Sequence, residues 1–263
     1  MARAEEFDGW RVRGRLPGGN VGEVYRLTDG RVLKILRDEL AGDVTRERFA
    51  LEIHSQQAVE SSAVPRVYET GQHEGRPYFV MEHRPGVSLA HALAEGHELP
   101  LAAIGGGVLS ALADCHSSGV AHRDLKPDNV IVDGTSVSLI DFGVACALRT
   151  GGRAHVQWGS PTSWGPERLL GYDGADVRSE LFAAGVLLFT LVARAHPFAH
   201  PEPAWRELLE RCETPPLRAF APAMSALDVF FQTALARQME ARFSSALRMR
   251  DAWHDVCARV SKG

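Results

Sequence analysis

The sequence predicts an α+β protein in two lobes: a small β-rich one over about residues 8–82 and a larger, mainly helical one over about 87–260, joined by a hinge at about 82–86. Three observations carry this. Short strand-like runs with Gly-containing turns fill the first third, interrupted by one stretch of helical spacing. The character changes after "RPG" (84–86), and the later long segments have helical periodicity. The longest apolar run, "LFAAGVLLFTLVA" (181–193), lies between Glu180 and Arg194 and is too short to span a bilayer, so it predicts a buried core helix. At 263 residues, with 45% apolar and 24% charged residues, the chain has ordinary globular composition and can bury a sizeable core.

The elements follow in order. "GRLPGGNVGEVYRL" (14–27) leads to the Asp-Gly turn of "TDGR" and then to "VLKIL" (32–36), a short apolar strand. "DVTRERFALEIHSQQAV" (43–59) places Phe49, Ile53 and Gln56 or Gln57 at helical spacing, with Thr45 as the expected cap. "VPRVYETG" (64–71) and "YFVME" (78–82) resume the strands. Helices are expected in "SLAHALAEG" (88–96), "LAAIGGGVLSALADCHSSG" (101–119) and "SELFAAGVLLFTLVA" (179–193). Three more are expected in "PAWRELLERC" (203–212), "ALDVFFQTALAR" (226–237) and "SSALRMRDAWHDVCARV" (244–260).

Several classes are disfavoured at once. A net charge of −4 offers no electrostatic case for nucleic acid or an anionic membrane. Cys115, Cys146, Cys212 and Cys257 lie far apart and form no C-x-x-C pair, so neither a disulfide framework nor a zinc site is expected; a reducing cytoplasm is. The start, "MARAEEFDGW", has no apolar core of a signal peptide.

"LPGGNVGEVY" (16–25) resembles a G-x-G-x-x-G phosphate loop with Pro17 at its first position and Gly19 and Gly22 in place. In a dinucleotide-binding fold such a loop opens a helix. Here a strand and a hairpin turn follow it, so the glycines sit at a hairpin tip. Alone, the stretch fits a purely structural hairpin equally well.

"VAHRDLKPDNVIVDGTSVSLIDFGVA" (120–145) decides between these readings. It holds His122-Arg123-Asp124, Lys126, Asn129 and Asp141-Phe142-Gly143. With these spacings the chain resembles the protein-kinase family from about residue 10 to 257. Lys34 matches the family's strand lysine, Glu52 the glutamate of its C helix, and "GPE" (165–167) the end of its activation segment. The resemblance implies the bilobal protein-kinase fold, with one such helix in the small lobe.

The residue types suit the chemistry. Phosphoryl transfer needs positioning and charge neutralisation more than covalent catalysis. Asn129 and Asp141 offer oxygen to Mg²⁺, a hard ion for which Mn²⁺ can substitute. Lys34, fixed by Glu52, can reach the α- and β-phosphates of ATP; Asp124 can orient the substrate hydroxyl and Lys126 can neutralise the transferring phosphate. Gly19 and Gly22 let backbone N–H groups approach the phosphates. Only three of the 29 lysine and arginine residues are lysines, and two of them, Lys34 and Lys126, fall on these positions. Taken singly, Asn129, Asp141 and Glu52 also read as turn residues and a solvated helix carboxylate.

The resemblance further implies an adenine pocket. Met81 is at the gatekeeper position, the backbones of Glu82 and Arg84 meet the adenine edge, and Leu16, Val24, Val32 and Ile131 sandwich the ring. "DLKPDN" and "GSPTSWGPE" (159–167) imply a Ser/Thr kinase acting on protein substrates rather than small molecules, with Ser160 lying against Asp124 and Lys126. Arg123 implies a phosphate-binding arginine in activation-loop control, for which Thr150 is the one acceptor between Asp141 and Gly159. A homodimer would serve trans-autophosphorylation. Neither nucleic acid nor a membrane segment is expected, and few lysines beside many arginines fit a bacterial source. The alternative is a pseudokinase, an ATP-binding signalling scaffold with little catalysis. Departures from the family pattern are Pro17, Ser163 with Trp164, Gly165, and Glu180 in place of an aspartate expected to hold the catalytic loop, where the longer side chain must bend or shift that loop.

Overall fold

The computed structural model describes residues 6–7, 9–18, 21–40, 42–147, 161–169, 176–198 and 213–260. Gly19, Thr150, Ser160 and the helix expected over 203–212 lie outside the described residues.

The small lobe is a six-stranded antiparallel sheet in the order β1-β2-β3-β4-β6-β5. Its strands are β1 (Glu6–Phe7), β2 (Trp10–Leu16), β3 (Gly22–Leu27), β4 (Val32–Leu36), β5 (Val67–His73) and β6 (Arg76–Met81). Gly30, at φ +92°, lets the β3–β4 turn close, with its N–H donating to Leu27 O. Alternation along the strands sorts the sheet into two faces. Leu33, Ile35, Tyr78 and Val80 pack with Tyr25, Leu27 and Phe7 on one side. Leu36 and Phe79 face the other side, against Phe49 and Ile53 of helix α1 (Asp43–Ala58).

The cap of that helix differs from expectation. Gly42 occupies the N-cap without a side-chain bond, and Thr45 lies inside the first turn. The helix starts three residues earlier than Thr45 as the cap predicts, with Asp43 in its first turn where the helix dipole favours an anion.

The loop from α1 to β5 is fastened to the large lobe. Leu139 N–H donates to Ala63 O at 2.8 Å, Ser61 Oγ to Asp114 Oδ2 at 2.5 Å, and Glu60 N–H to Ser118 Oγ at 3.3 Å. Beyond the hinge come β7 (Val87–Ser88), α2 (Leu89–Ala94), α3 (Leu101–Ser117), β8 (Val120–Ala121), β9 (Val130–Asp133), β10 (Ser136–Leu139) and β11 (Cys146–Ala147). Strands β10, β9 and β7 form one small sheet and β11 with β8 another. The described helices that follow are α4 (Pro166–Leu169), α5 (Val177–Ala193), α6 (Asp228–Ala234) and α7 (Ala246–Val260). The apolar run 181–193 forms most of α5 and is almost wholly buried at the centre of the large core. None of the helices among the described residues is long and apolar enough to cross a membrane.

"GGG" (105–107) lies in mid-α3, where helix propensity disfavours it. Packing explains it: a Cβ on Gly105 would lie 2.4 Å from the Trp253 ring of α7, and one on Gly106 2.5 Å from His254. The glycines let α7 press directly on the α3 backbone. Gly105→Ala is therefore expected to destabilise the protein by about 1–3 kcal/mol through overpacking, despite alanine's better helix propensity, as read by urea unfolding.

Candidate active site

Strand β4 carries Lys34 on its α1-facing side, and β3 makes room for it. A Cβ on Gly22 would lie 3.0 Å from Lys34 Cε and 3.1 Å from its Cγ, so the glycine passes the lysine stem as well as closing a loop. A buried ammonium needs anions. Lys34 Nζ is hydrogen-bonded to Glu52 Oε1 from the middle of α1 and, at 2.9 Å, to Asp141 Oδ1. Burial presses Lys34 toward its neutral form, but the two carboxylates outweigh it and hold its pKa above the ordinary lysine value. Burial likewise works against the Asp141 anion, yet Lys34 draws its pKa below the usual one. Two carboxylates face one ammonium. Burial, with Asp141 close by, raises the pKa of Glu52 despite Lys34, so the pair stands near the limit of the anionic charge this site holds without a further cation.

Asp124, Lys126 and Asn129 form a second cluster. Lys126 Nζ donates to Asp124 Oδ2 at 2.7 Å, and Asn129 Nδ2 donates to Asp124 O at 2.8 Å and Oδ2 at 3.0 Å. The 3₁₀ turn Pro127–Asn129, with proline at its start, folds the chain back so that Asn129 returns to Asp124. With Nδ2 committed, Oδ1 is the Asn129 amide atom able to meet a cation.

Both clusters border one cleft of about 790 Å³ between the lobes. Lys34, Glu52, Lys126, Asn129 and Asp141 all line it, and Leu16, Val24, Val32, Met81 and Ile131 supply apolar walls. Glu82 and Arg84 line its hinge side. The Glu82 N–H already donates to Arg66 O at 2.8 Å, which leaves the Glu82 carbonyl as its backbone group for a ligand. The Arg84 side chain holds Glu82 Oε2 at 2.9 Å and Val64 O at 2.7 Å. Gly22 backs Lys34 and Asp124 stands behind Lys126 and Asn129; neither belongs to the lining. Pro17 and Gly18 line the cleft just beyond the end of β2.

Sequence reasoning assigned no site role to several cleft residues: Gln56 and Pro65, and Ser88, His91 and Asp128. For Gln56 a signal existed, since it sits one helical turn beyond Glu52 on the buried face of α1. The others carry no distinguishing sequence pattern.

A protein kinase domain model matches residues 10–254. The chain belongs to the protein kinase family. It is 32% identical over 253 residues to the serine/threonine-protein kinase PknB of Mycobacterium tuberculosis, covering 88% of this chain and 40% of that protein. It is also 32% identical over 254 residues to a probable serine/threonine-protein kinase of Streptomyces coelicolor, covering 88% and 37%. The chain thus spans about two fifths of these curated relatives. Its fold is that of a solved kinase domain, Mycobacterium tuberculosis PknI, with a TM-score of 0.74 and 26% identity over 98% of this chain and 99% of that one.

The kinase fold is tied down at the departures noted above. Glu180 of α5 is fully enclosed: its Oε1 accepts the Arg123 N–H at 2.6 Å, and its Oε2 meets His116 Nε2 at 2.6 Å. The longer side chain is accommodated by a second partner, His116 of α3. Burial opposes the Glu180 anion, but His116 and the Arg123 N–H lower its pKa. Arg123 and Asp141 both adopt φ +66°, a left-handed conformation that costs a non-glycine residue on the order of 1–2 kcal/mol. Each is held at that cost by a buried ionic partner. His122 connects the two segments, with Nε2 hydrogen-bonded to Ile140 O at 3.1 Å and its ring 4.7 Å from that of Phe142.

Arg242 grips Glu167 with two bonds, at 2.9 and 2.7 Å. Gly165 permits this, because a Cβ there would meet the Glu167 carboxylate at 2.4 Å. Trp164 lies under the Arg168 guanidinium at 4.5 Å.

Glu180→Gln keeps the shape and removes the charge, with an expected loss of about 1–3 kcal/mol at pH 7. Because the folded Glu180 pKa is lowered, its contribution is present above the unfolded value and disappears as pH falls through the folded one. Denaturation from pH 7 downward should show the difference between the two proteins shrinking below about pH 4.

Proposed function

We propose that this chain transfers the γ-phosphoryl group of ATP to serine and threonine hydroxyls of protein substrates, with Mg²⁺ as the divalent cation. The observation that carries this is the convergence of the Lys34–Glu52–Asp141 triad and the Asp124–Lys126–Asn129 cluster on one cleft with an apolar wall.

The donor set fits Mg²⁺. Asn129 Oδ1 and the Asp141 carboxylate are hard oxygen ligands on the same cleft, and the triad sets two carboxylates against one ammonium. When bound, the cation neutralises charge on the phosphate oxygens.

The rest falls to the chain's own groups. Lys34 holds the α- and β-phosphates while Glu52 fixes its direction. The adenine meets the Glu82 carbonyl and the Arg84 N–H between Leu16, Val24, Val32 and Ile131, with Met81 behind. Asp124 orients the acceptor hydroxyl and takes its proton as that oxygen bonds to the γ-phosphorus. The bond from phosphorus to the β–γ bridging oxygen breaks, and ADP leaves with the electron pair. Lys126 offsets charge on the phosphoryl group in transit. Arg123 and Thr150 remain the proposed activation-loop pair and Ser160 a contact of the acceptor side.

Incubation of the purified chain with labelled ATP, Mg²⁺ and a basic acceptor protein should label the acceptor. Asp141→Ala should abolish labelling, and Asp124→Asn should lower kcat by on the order of 10²-fold or more. ATP binding by thermal shift without any labelling would instead favour a pseudokinase. Phosphate mapping on the wild type, with loss of activity in Thr150→Ala, is the expected sign of autophosphorylation; an unmodified Thr150 and a fully active variant would remove that role.

A further inference from the structure

The chain leaves the buried helix α5 at Arg194, which ends it in a left-handed conformation at φ +54°. The Arg194 guanidinium donates to Leu93 O at 3.3 Å and to His97 O, so this corner is fastened to α2 and the residues after it. Two residues on stands His196, partly buried, with both ring nitrogens engaged. The Phe198 N–H donates to its Nδ1 at 3.1 Å, so the ring proton sits on Nε2, which donates to Thr162 O at 2.9 Å. Burial holds the His196 pKa below the ordinary histidine value despite the bond to Thr162, and the ring is neutral at pH 7. Phe198 anchors the stretch. Its ring is buried and stacks on Phe182 of α5 at 6.0 Å, and Phe182 lies under the Arg242 guanidinium at 4.6 Å.

Thr162 lies in the 3₁₀ turn Pro161–Ser163, closed by the Trp164 N–H donating to Pro161 O at 3.1 Å. The far end of the turn is held by the catalytic loop. Trp164 is buried under the Arg168 guanidinium, and Arg168 Nη1 lies 3.5 Å from Arg123 O. The near end has a different holder. Among the described residues, His196 makes the one side-chain hydrogen bond to the turn itself. The turn follows Ser160, which the proposed function sets on the acceptor side. A shift of this near end would displace the surface that an acceptor chain meets on its way to Asp124. The nucleotide end of the cleft, around Lys34, keeps its own contacts.

We infer that His196 is a positioning residue for the protein acceptor: by holding Thr162 O it fixes the turn Pro161–Ser163 beside the catalytic loop. The inference rests on the function proposed above. It assigns His196 no contact with the reacting atoms.

The test compares wild type, His196→Asn and His196→Gln in steady-state kinetics with Mg²⁺, ATP and histone as acceptor, beside melting temperatures. Asparagine sets its carboxamide where Nδ1 stood, so it keeps an acceptor for the Phe198 N–H and loses the reach to Thr162. Glutamine extends its amide to the place of Nε2 and can still donate to Thr162 O. In His196→Asn the KM for histone should rise about fivefold, the equivalent of one hydrogen bond, with kcat and the KM for ATP within about twofold of wild type. In His196→Gln the KM for histone should stay within about twofold. The inference is overturned by an unchanged histone KM in His196→Asn, by an equal rise in its ATP KM, or by its failure to fold. It is also overturned if His196→Gln behaves as His196→Asn does. Each of these results leaves the kinase reading intact, whereas a wild type that labels no acceptor sinks the kinase reading and the inference with it.

Discussion

One ammonium group organises the active side of this molecule. Lys34 is buried in a strand whose other residues are all apolar, and a charge in that position is tolerated only if anions come to it. Glu52 and Asp141 do so from opposite lobes, one on α1 and one on the segment after β10. The cleft is therefore bounded by an electrostatic requirement: if either carboxylate withdraws, the lysine is left under-compensated in a dry site. The small lobe's sheet and helix give Lys34 and Glu52 their places, and the large lobe gives Asp141 its place.

The large lobe supports this through its own buried charges. Glu180 anchors the Arg123 backbone in a strained conformation next to Asp124, and His116 shares the load. Glu167 and Arg242 are similarly paired, so the segment ending in "GPE" is fixed to the C-terminal helical region. Glycine stands at three close approaches: Gly22 at the lysine stem, Gly105 at Trp253 and Gly165 at the Glu167 carboxylate. In each case the missing Cβ is what permits the contact.

Much of this was legible in the sequence, for identifiable reasons. The apolar run "VLKIL" and the spacing of Phe49 and Ile53 showed a buried strand and the helix that packs beside it. Lys34 and Lys126 were legible as two of only three lysines, and Asp124, Asn129 and Asp141 through the resemblance to the kinase motifs; the cleft does bring Lys34, Lys126, Asn129 and Asp141 together. What the sequence hid depends on three-dimensional partners. The cap of α1 was misplaced because a glycine in extended conformation can begin a helix without a side-chain bond. The clamp of Glu180 by His116 joins residues 64 positions apart, and the Leu139 N–H bond to Ala63 O that fastens the loop after α1 is made of backbone groups that no residue type reveals. The "GGG" of α3 likewise owes its place to Trp253 and His254, which pack on it from the far end of the chain.

Under the proposed function, the carboxylates around Lys34 are what would draw a divalent cation to the site together with ATP. The most direct measurement is ATP affinity by calorimetry, with and without Mg²⁺, in wild type and in Asp141→Asn. Wild type should bind ATP more tightly with Mg²⁺, by on the order of tenfold or more, and the variant should lose that increment while still binding ATP. Equal ATP affinity with and without Mg²⁺ in the wild type, or an undiminished Mg²⁺ increment in Asp141→Asn, would contradict it.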